Sequence, residues 1–236
     1  MRPSMLTTRT AATVIGVLFL AADAAGAAGR LMGGRLVSVP VDVAALQAHG
    51  SRVVGAALLT LLMGVLLALI PVAGFPVFRR HDEVLATGYL VFRGALEMIG
   101  YAATAFVWLA MAQDTSVLAS PGALNVLARL PDAAINPYVD IVFSLGALML
   151  SWLLLRARLV PGWLAIWGLA GGVLYLAQGL AAAFGSGWGP LMVPLALQEI
   201  TLAIWLIVKG FAEDTVTVAD APNPQVPLQV TGQRSA

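Results

Sequence analysis

The sequence of 236 residues contains no cysteine, one lysine and only two histidines, His49 and His81. The lack of cysteine excludes disulfides, thiol nucleophiles and thiolate metal sites within these residues. The two histidines are separated in the sequence and supply neither a paired zinc motif nor a serine–histidine dyad. Walker, dinucleotide-binding and Gly-x-Ser-x-Gly motifs are also absent. We therefore predict no catalytic residue, no metal and no cofactor, and an enzyme has no support from the sequence.

Charge is scarce as well, since charged residues make up 11% of the chain and hydrophobic residues make up 60%. Soluble domains of this size have fewer hydrophobic and more charged residues, so the chain is predicted to be a membrane protein. The formal net charge of +1 gives no basic excess for binding nucleic acid. The strong preference for arginine over lysine is typical of a GC-rich bacterial genome.

Six segments are apolar over the roughly 20 residues that a helix needs to cross a bilayer. They lack the short alternating pattern of barrel strands, and backbone groups in lipid must be satisfied within each segment. The predicted fold is therefore all-α, a polytopic transmembrane helical bundle that occupies residues 1–211. The predicted spans are residues 11–29, 53–72, 85–111, 138–155, 163–184 and 190–208.

The distribution of basic residues between the loops predicts the orientation. An N-terminus in the cytoplasm places eight basic residues inside, against four in the outer loops. The inner residues are Arg2, Arg9, Arg79, Arg80, Arg156, Arg158, Lys209 and Arg234, and the outer ones are Arg30, Arg35, Arg52 and Arg129. We therefore expect both termini in the cytoplasm and a multi-pass protein of the inner (cytoplasmic) membrane.

The first span has a second interpretation as a cleaved signal peptide. Arg2 and Arg9 precede an apolar run that ends near the small residues Ala22-Asp23-Ala24. Cleavage would leave five spans without inverting the others. Both interpretations stay open at the level of the sequence.

Two segments outside the spans carry local signals. Ser120-Pro121 in the second outer loop predicts the cap and first residue of a short amphipathic helix that ends at Leu130. Residues 212–236 are rich in proline and dispersed polar residues, which predicts a disordered cytoplasmic tail.

Polar and aromatic residues recur along the third span at steps of about four. This spacing places them on one stripe of a helix, which must face protein or water rather than lipid. The stripe has a structural interpretation, as a buried seam, and a functional one, as a polar pathway. Its members are Tyr89, Arg93, Glu97, Tyr101, Thr104 and Trp108.

Charges inside the spans mark the candidate site, because a charge at the centre of a bilayer costs about 2.5 to 3.5 kcal/mol and is usually paired. Arg93, Glu97 and Glu199 fall at similar predicted depths, so we expect Arg93 to contact Glu97, Glu199 or both. One cation beside two carboxylates predicts that a carboxyl is protonated or that a cation visits the site. The candidate ligand-binding or polar cluster comprises Arg93, Glu97, Glu199, Gln198, Tyr89, Tyr101 and Asp23.

Four stretches of the sequence form a recognisable series: Phe75 to His81, Gly88 to Glu97 with Tyr89 and Arg93, Leu159 to Gly168, and Glu199 with Leu202 to Phe211. They cover most of the chain from the second helix to Phe211, and their order adds to their specificity. Together they resemble a family of bacterial membrane proteins grouped as domain of unknown function 4386. The resemblance implies a six-helix membrane protein with no assigned activity.

Two hypotheses for function follow. The first is a small transport or sensing module for an ion or a small polar or lipid-like ligand, and the alternative is a non-catalytic structural or partner-binding membrane subunit. A polar cavity that reaches Arg93 from one side favours the first, whereas a dry, sealed cluster favours the second. The lipid bilayer is the expected partner, and a helix-mediated homo-oligomer stays open. The Gly168-xxx-Gly172 pattern predicts a face on which another helix can approach closely.

The orientation can be measured with single introduced cysteines, since the chain has none of its own. In intact cells a membrane-impermeant maleimide should label cysteines at His49 or Ala119 and should not label cysteines at His81 or Ala157. Labelling in the reverse pattern would overturn the orientation that the arginine bias predicts.

Overall fold

The computed structural model describes residues 5–113 and 120–212, and within these residues the chain forms helices and no strands. Six of the helices are long and apolar enough to cross a membrane, which confirms the predicted all-α, six-span class. The predicted disordered tail lies outside the described residues from position 213 onward. The helices are α1 (Met5–Gly33), α2 (Val43–Ala48), α3 (Gly50–Phe78), α4 (Glu83–Tyr89, Leu90–Leu96 and Glu97–Gln113), α5 (Pro121–Leu130, Pro131–Ile135 and Asn136–Arg156), α6 (Gly162–Ala183) and α7 (Val193–Val208).

The six long helices form a closed ring. Each packs against the next long helix in the chain, and α7 packs against α1. Connections of four or five residues, 79–82 between α3 and α4 and 157–161 between α5 and α6, make the helices that they join antiparallel neighbours. The interior is apolar and includes Ile15, Phe19, Ile70, Leu164 and Leu202. Large apolar side chains also lie exposed on the outside, among them Leu58, Phe106, Ile166 and Ile204, which suits a lipid environment.

The largest difference from the predicted spans concerns α5. The predicted cap is present, since Ser120 Oγ accepts a hydrogen bond from the backbone N–H of Ala123 at 3.4 Å. The helix does not end at Leu130, however, but continues without a break to Arg156. Proline lacks the N–H of a regular turn, and the π-helical segment Pro131–Ile135 accommodates this loss. Pro131 therefore lies inside the continuous helix α5 and not beyond its end.

The remaining spans differ from their predicted limits mainly at the ends. The helices α1, α3 and α4 extend beyond the predicted spans at both ends, because the hydropathy window excludes the more polar terminal turns. In the last span a short 3₁₀ turn, Gly189–Met192, precedes α7. Pro194 therefore lies in the first turn of α7, where its missing N–H is not needed.

At the end of the bundle that contains the start of α1 and the end of α7, residues distant in the sequence contact one another. The guanidinium of Arg9 donates hydrogen bonds to the carbonyls of Ile207 and Val208 at 2.9 and 3.0 Å, which satisfies two free groups at the end of α7. Gly210 then takes a positive φ of 77°. This turn directs the buried ring of Phe211 onto Phe78, with centroids 5.8 Å apart.

Substitution of Gly16 should test the contact between α1 and α7. A Cβ at Gly16 would lie 2.5 Å from the carbonyl oxygen of Ala203 and 2.7 Å from Cγ1 of Ile207. Because backbone atoms cannot rotate away, we expect Gly16→Ala to lower the free energy of unfolding by about 1–3 kcal/mol, measured by unfolding in detergent.

Gly162→Ala is the matched control, since a Cβ at Gly162 meets no atom within 4 Å. This variant should keep the stability of the natural protein. Equal losses in the two variants would contradict the close approach of α1 and α7.

Candidate functional site

The backbone of α4 places three members of the predicted stripe inside the ring. Arg93 lies in the π-helical segment Leu90–Leu96, directly between Tyr89 and Glu97. The N–H of Glu97 bonds to the carbonyl of Phe92, five residues earlier, and such widened turns are frequent at functional sites. Tyr89, Arg93 and Glu97 are all buried, with 2%, 3% and 0% of the surface of each residue exposed.

Arg93 contacts both glutamates, as the sequence predicted. Its Nη1 lies 3.3 Å from Oε2 of Glu97, one helical turn further along α4. Its Nη2 lies 3.1 Å from Oε1 of Glu199, which projects from α7 on another side of the ring. The guanidinium therefore links two helices that are far apart in the sequence.

Two aromatic rings complete the surroundings of Arg93. The guanidinium carbon lies 4.6 Å from the ring centroid of Phe143 on α5 and 5.5 Å from that of Phe19 on α1. Rings at such distances attract a cation through their negative faces, and the attraction strengthens when water is excluded. Neither phenylalanine could be predicted from the sequence, because an isolated phenylalanine in an apolar span carries no signal that separates it from ordinary packing.

Glu97 is the most deeply buried member of the cluster. Its Oε1 accepts a hydrogen bond from the hydroxyl of Tyr101 at 2.8 Å, so Tyr101, another member of the predicted cluster, contacts Glu97 directly. Its Oε2 faces Arg93 without completing a hydrogen bond. The side chain of Glu199 is more accessible, with 16% of its surface exposed.

A small cavity of about 10 Å³ adjoins the cluster. Two of the residues that line it, Tyr89 and Arg93, each have a buried polar group with no hydrogen-bond partner among the described residues: the hydroxyl of Tyr89 and Nε of Arg93. A space of this size holds about one water molecule. The lining residues are Tyr89, Arg93, Ala147, Leu150, Ser151, Leu195, Gln198, Glu199 and Leu202.

Gln198 and Asp23 have different positions relative to the cluster. Gln198 lines the cavity, and its amide donates a hydrogen bond to the carbonyl of Leu164 at 3.2 Å, which connects α7 to α6. Asp23 lies exposed on α1 and forms no ion pair within the described part of the chain. Phe19 and Ala22 face the interior, and one further residue turns the side chain by about 100° away from it. Asp23 therefore acts on Arg93 only across space.

Where α6 meets α5 and α7, small residues allow close approach. A Cβ at Gly168 would collide with the side chains of Ser151 and Gln198, and one at Gly172 would lie 2.9 Å from Leu148. The Gly168-xxx-Gly172 pattern is thus used inside the bundle, beside the cavity. No group of three His, Asp or Glu side chains in the described ranges is arranged to hold a metal ion.

The chain belongs to the family described as Domain of unknown function (DUF4386), whose model matches residues 14–210. The match extends from α1 to the end of α7 and includes the whole cluster. The resemblance deduced from the four sequence stretches is therefore confirmed. Comparison with curated proteins found no match, and comparison with solved structures found none either.

The stability of the protein should fall by different amounts when the positive group and when the negative groups of the cluster are removed. Glu97→Gln combined with Glu199→Gln leaves a buried guanidinium that cannot lose its proton, whereas Arg93→Met leaves carboxyls that can take up protons. We expect the double variant to lose about 3–5 kcal/mol of stability, the usual cost of breaking a buried ion pair, and Arg93→Met to lose less. Thermal unfolding in detergent measures both.

Arg52→Met, at an exposed position in the first turn of α3, serves as the control for replacing an arginine by methionine and should be neutral. If Arg93→Met and the double glutamine variant melt at the same temperature, the charge of the guanidinium does not govern the stability of the cluster.

Proposed function

We propose that this protein is a small transport or sensing module whose Arg93–Glu97–Glu199 cluster binds a small cation. The observation that supports the proposal is the charge balance of the buried site. One guanidinium contacts two carboxylates, so full ionisation leaves one negative charge in an apolar interior. An uncompensated buried charge is strongly unfavourable, and uptake of one positive charge would remove it.

The size of the cavity narrows the class of ligand. A volume of about 10 Å³ is too small for a polar organic molecule or a lipid headgroup, both of which the sequence left open. A proton or a single small ion fits this limit. Charge balance and cavity size together favour a cation as the ligand of the cluster.

The accessibility of the cluster indicates an occluded arrangement. Arg93 and Glu97 are almost completely buried, and Glu199 is the most exposed of the three. In a transporter the helices around Glu199 would have to separate to admit the ion, whereas a sensor would only need to change the packing of the ring. We also propose that the protein lies in the inner membrane with both termini in the cytoplasm, which rests on the arginine bias.

A second candidate function is a non-catalytic packing subunit. The observation that favours it is the near-complete sealing of Arg93 and Glu97, with no more than 3% of either residue exposed. In that case the ion pairs serve only to hold α4 and α7 together. The two functions differ in whether the cluster exchanges an ion with its surroundings.

Thermal unfolding of the purified protein over a range of pH and of Na⁺ and K⁺ concentrations tests the proposal. If the cluster binds a cation, the melting temperature of the natural protein should rise with the concentration of that cation, including the proton. Glu97→Gln combined with Glu199→Gln should lose this dependence, because the neutral amides leave no negative charge that a cation could neutralise.

Glu83→Gln is the matched control, because Glu83 is exposed at the start of α4 and outside the cluster. This variant should keep the dependence of the natural protein. If the double variant also keeps it, the cluster exchanges no cation and the packing subunit is the correct function.

A further inference from the structure

We propose that the cation bound by the cluster is a proton and that the cavity beside Arg93 binds one water molecule through which the proton reaches Glu199. This inference rests on the proposed function and specifies its ligand. Three observations support it: the size of the cavity, the nature of its lining, and the buried polar groups that have no partner.

The lining of the cavity disfavours a metal ion. Metal cations in proteins are surrounded by several oxygen ligands, as the six to eight around Ca²⁺ illustrate. Here the guanidinium of Arg93 forms part of the wall and would repel a metal cation at short range. A proton differs, since it becomes part of a neutral carboxyl group and leaves no separate cation beside Arg93.

The unpartnered groups fit a water molecule. Arg93 Nε is a donor, and the hydroxyl of Tyr89 can donate or accept, yet neither has a hydrogen-bond partner among the described residues. A water molecule could accept from Nε, bond to the hydroxyl and donate to the carboxylate of Glu199 in the same lining. Buried waters typically make about three hydrogen bonds, so these three groups would satisfy one water molecule in the cavity.

The proton transfer balances in atoms and charge. A hydronium ion at the cavity breaks one of its O–H bonds and becomes water, while a new O–H bond forms on a carboxylate oxygen. The cluster changes from one net negative charge to neutral. Because Glu97 and Glu199 both contact Arg93, the single proton belongs to the pair.

Glu199 interacts electrostatically with groups on three further helices. The carboxyl group of Asp23 on α1 is a further negative group near Glu199. Arg93 is the positive group that interacts with Glu199. Tyr175 of α6 also interacts with Glu199. The ionisable groups concerned are Asp23 on α1, Tyr89, Arg93 and Glu97 on α4, and Tyr175 on α6. Together the carboxyl groups of Glu97, Glu199 and Asp23 outnumber the one guanidinium of Arg93.

Infrared difference spectroscopy during a pH titration can test whether the ligand is a proton. A protonated carboxyl group has a carbonyl stretch that is separate from the amide bands and shifts in D₂O. We expect one such band in the natural protein that is missing from Glu97→Gln with Glu199→Gln and present in Glu83→Gln. If the double variant does not fold, Glu199→Gln alone serves as the test, because Glu199 lines the cavity.

Replacing choline chloride by NaCl or KCl at constant ionic strength separates the proton from metal ions. The band should not change. Loss of the band on addition of Na⁺ or K⁺ would show that a metal cation takes the site, which overturns the proton assignment but leaves the proposed function intact. Absence of any titrating band from Glu97 and Glu199 would also overturn the assignment. The proposed function itself fails if the melting temperature of the natural protein does not depend on any cation, or if the double variant keeps that dependence.

The water molecule is tested by Tyr89→Phe. Removing the hydroxyl should slow proton uptake several-fold after a rapid pH jump, while the carboxyl band remains at equilibrium. Tyr138→Phe is the matched control, since the hydroxyl of Tyr138 instead bonds to the carbonyl of Leu96. Equal rates of uptake in Tyr89→Phe and the natural protein would overturn the role of the cavity water.

Discussion

The permanent charge of Arg93 is the constraint on which the centre of the structure depends. A guanidinium keeps its proton in proteins, so a buried arginine must be compensated by its surroundings. Here the compensation comes from four helices: Glu97 on α4, Glu199 on α7, and the rings of Phe19 on α1 and Phe143 on α5. The same contacts that satisfy the charge therefore also hold the ring of helices together.

The geometry of the backbone serves this arrangement. The π-helical turn around Arg93 shifts the hydrogen bonding of α4 so that Tyr89, Arg93 and Glu97 share the inner face. Small residues at Gly168 and Gly172 let α6 approach its neighbours near the cavity. Because the helices lie so close, the remaining space is only about 10 Å³. The site thus combines two carboxyl groups facing one guanidinium with very little volume, and this combination underlies the proposal of a proton as ligand.

Much of the site could be predicted because charges in an apolar span are rare and have few stable solutions. Arg93, Glu97 and Glu199 stood out by composition alone, and equal depth was enough to predict their contact. Asp23, which the sequence also placed in the candidate cluster, forms no ion pair within the described residues, since a position along a span does not specify the direction in which the side chain points. Phe19 and Phe143 could not be found, because nothing in their local sequence distinguishes them from other apolar packing.

The sequence by itself determined the helical class, the number of spans and the charged residues at their centre, because a bilayer imposes length and polarity on each segment independently of the others. Only the tertiary structure decided that α5 continues through Pro131, which side chains surround Arg93, and how little space adjoins Glu199. These properties depend on contacts between helices distant in the chain. A hydropathy pattern indicates whether each segment can lie in lipid. A cavity or an ion pair depends on which side chains of several helices face one another.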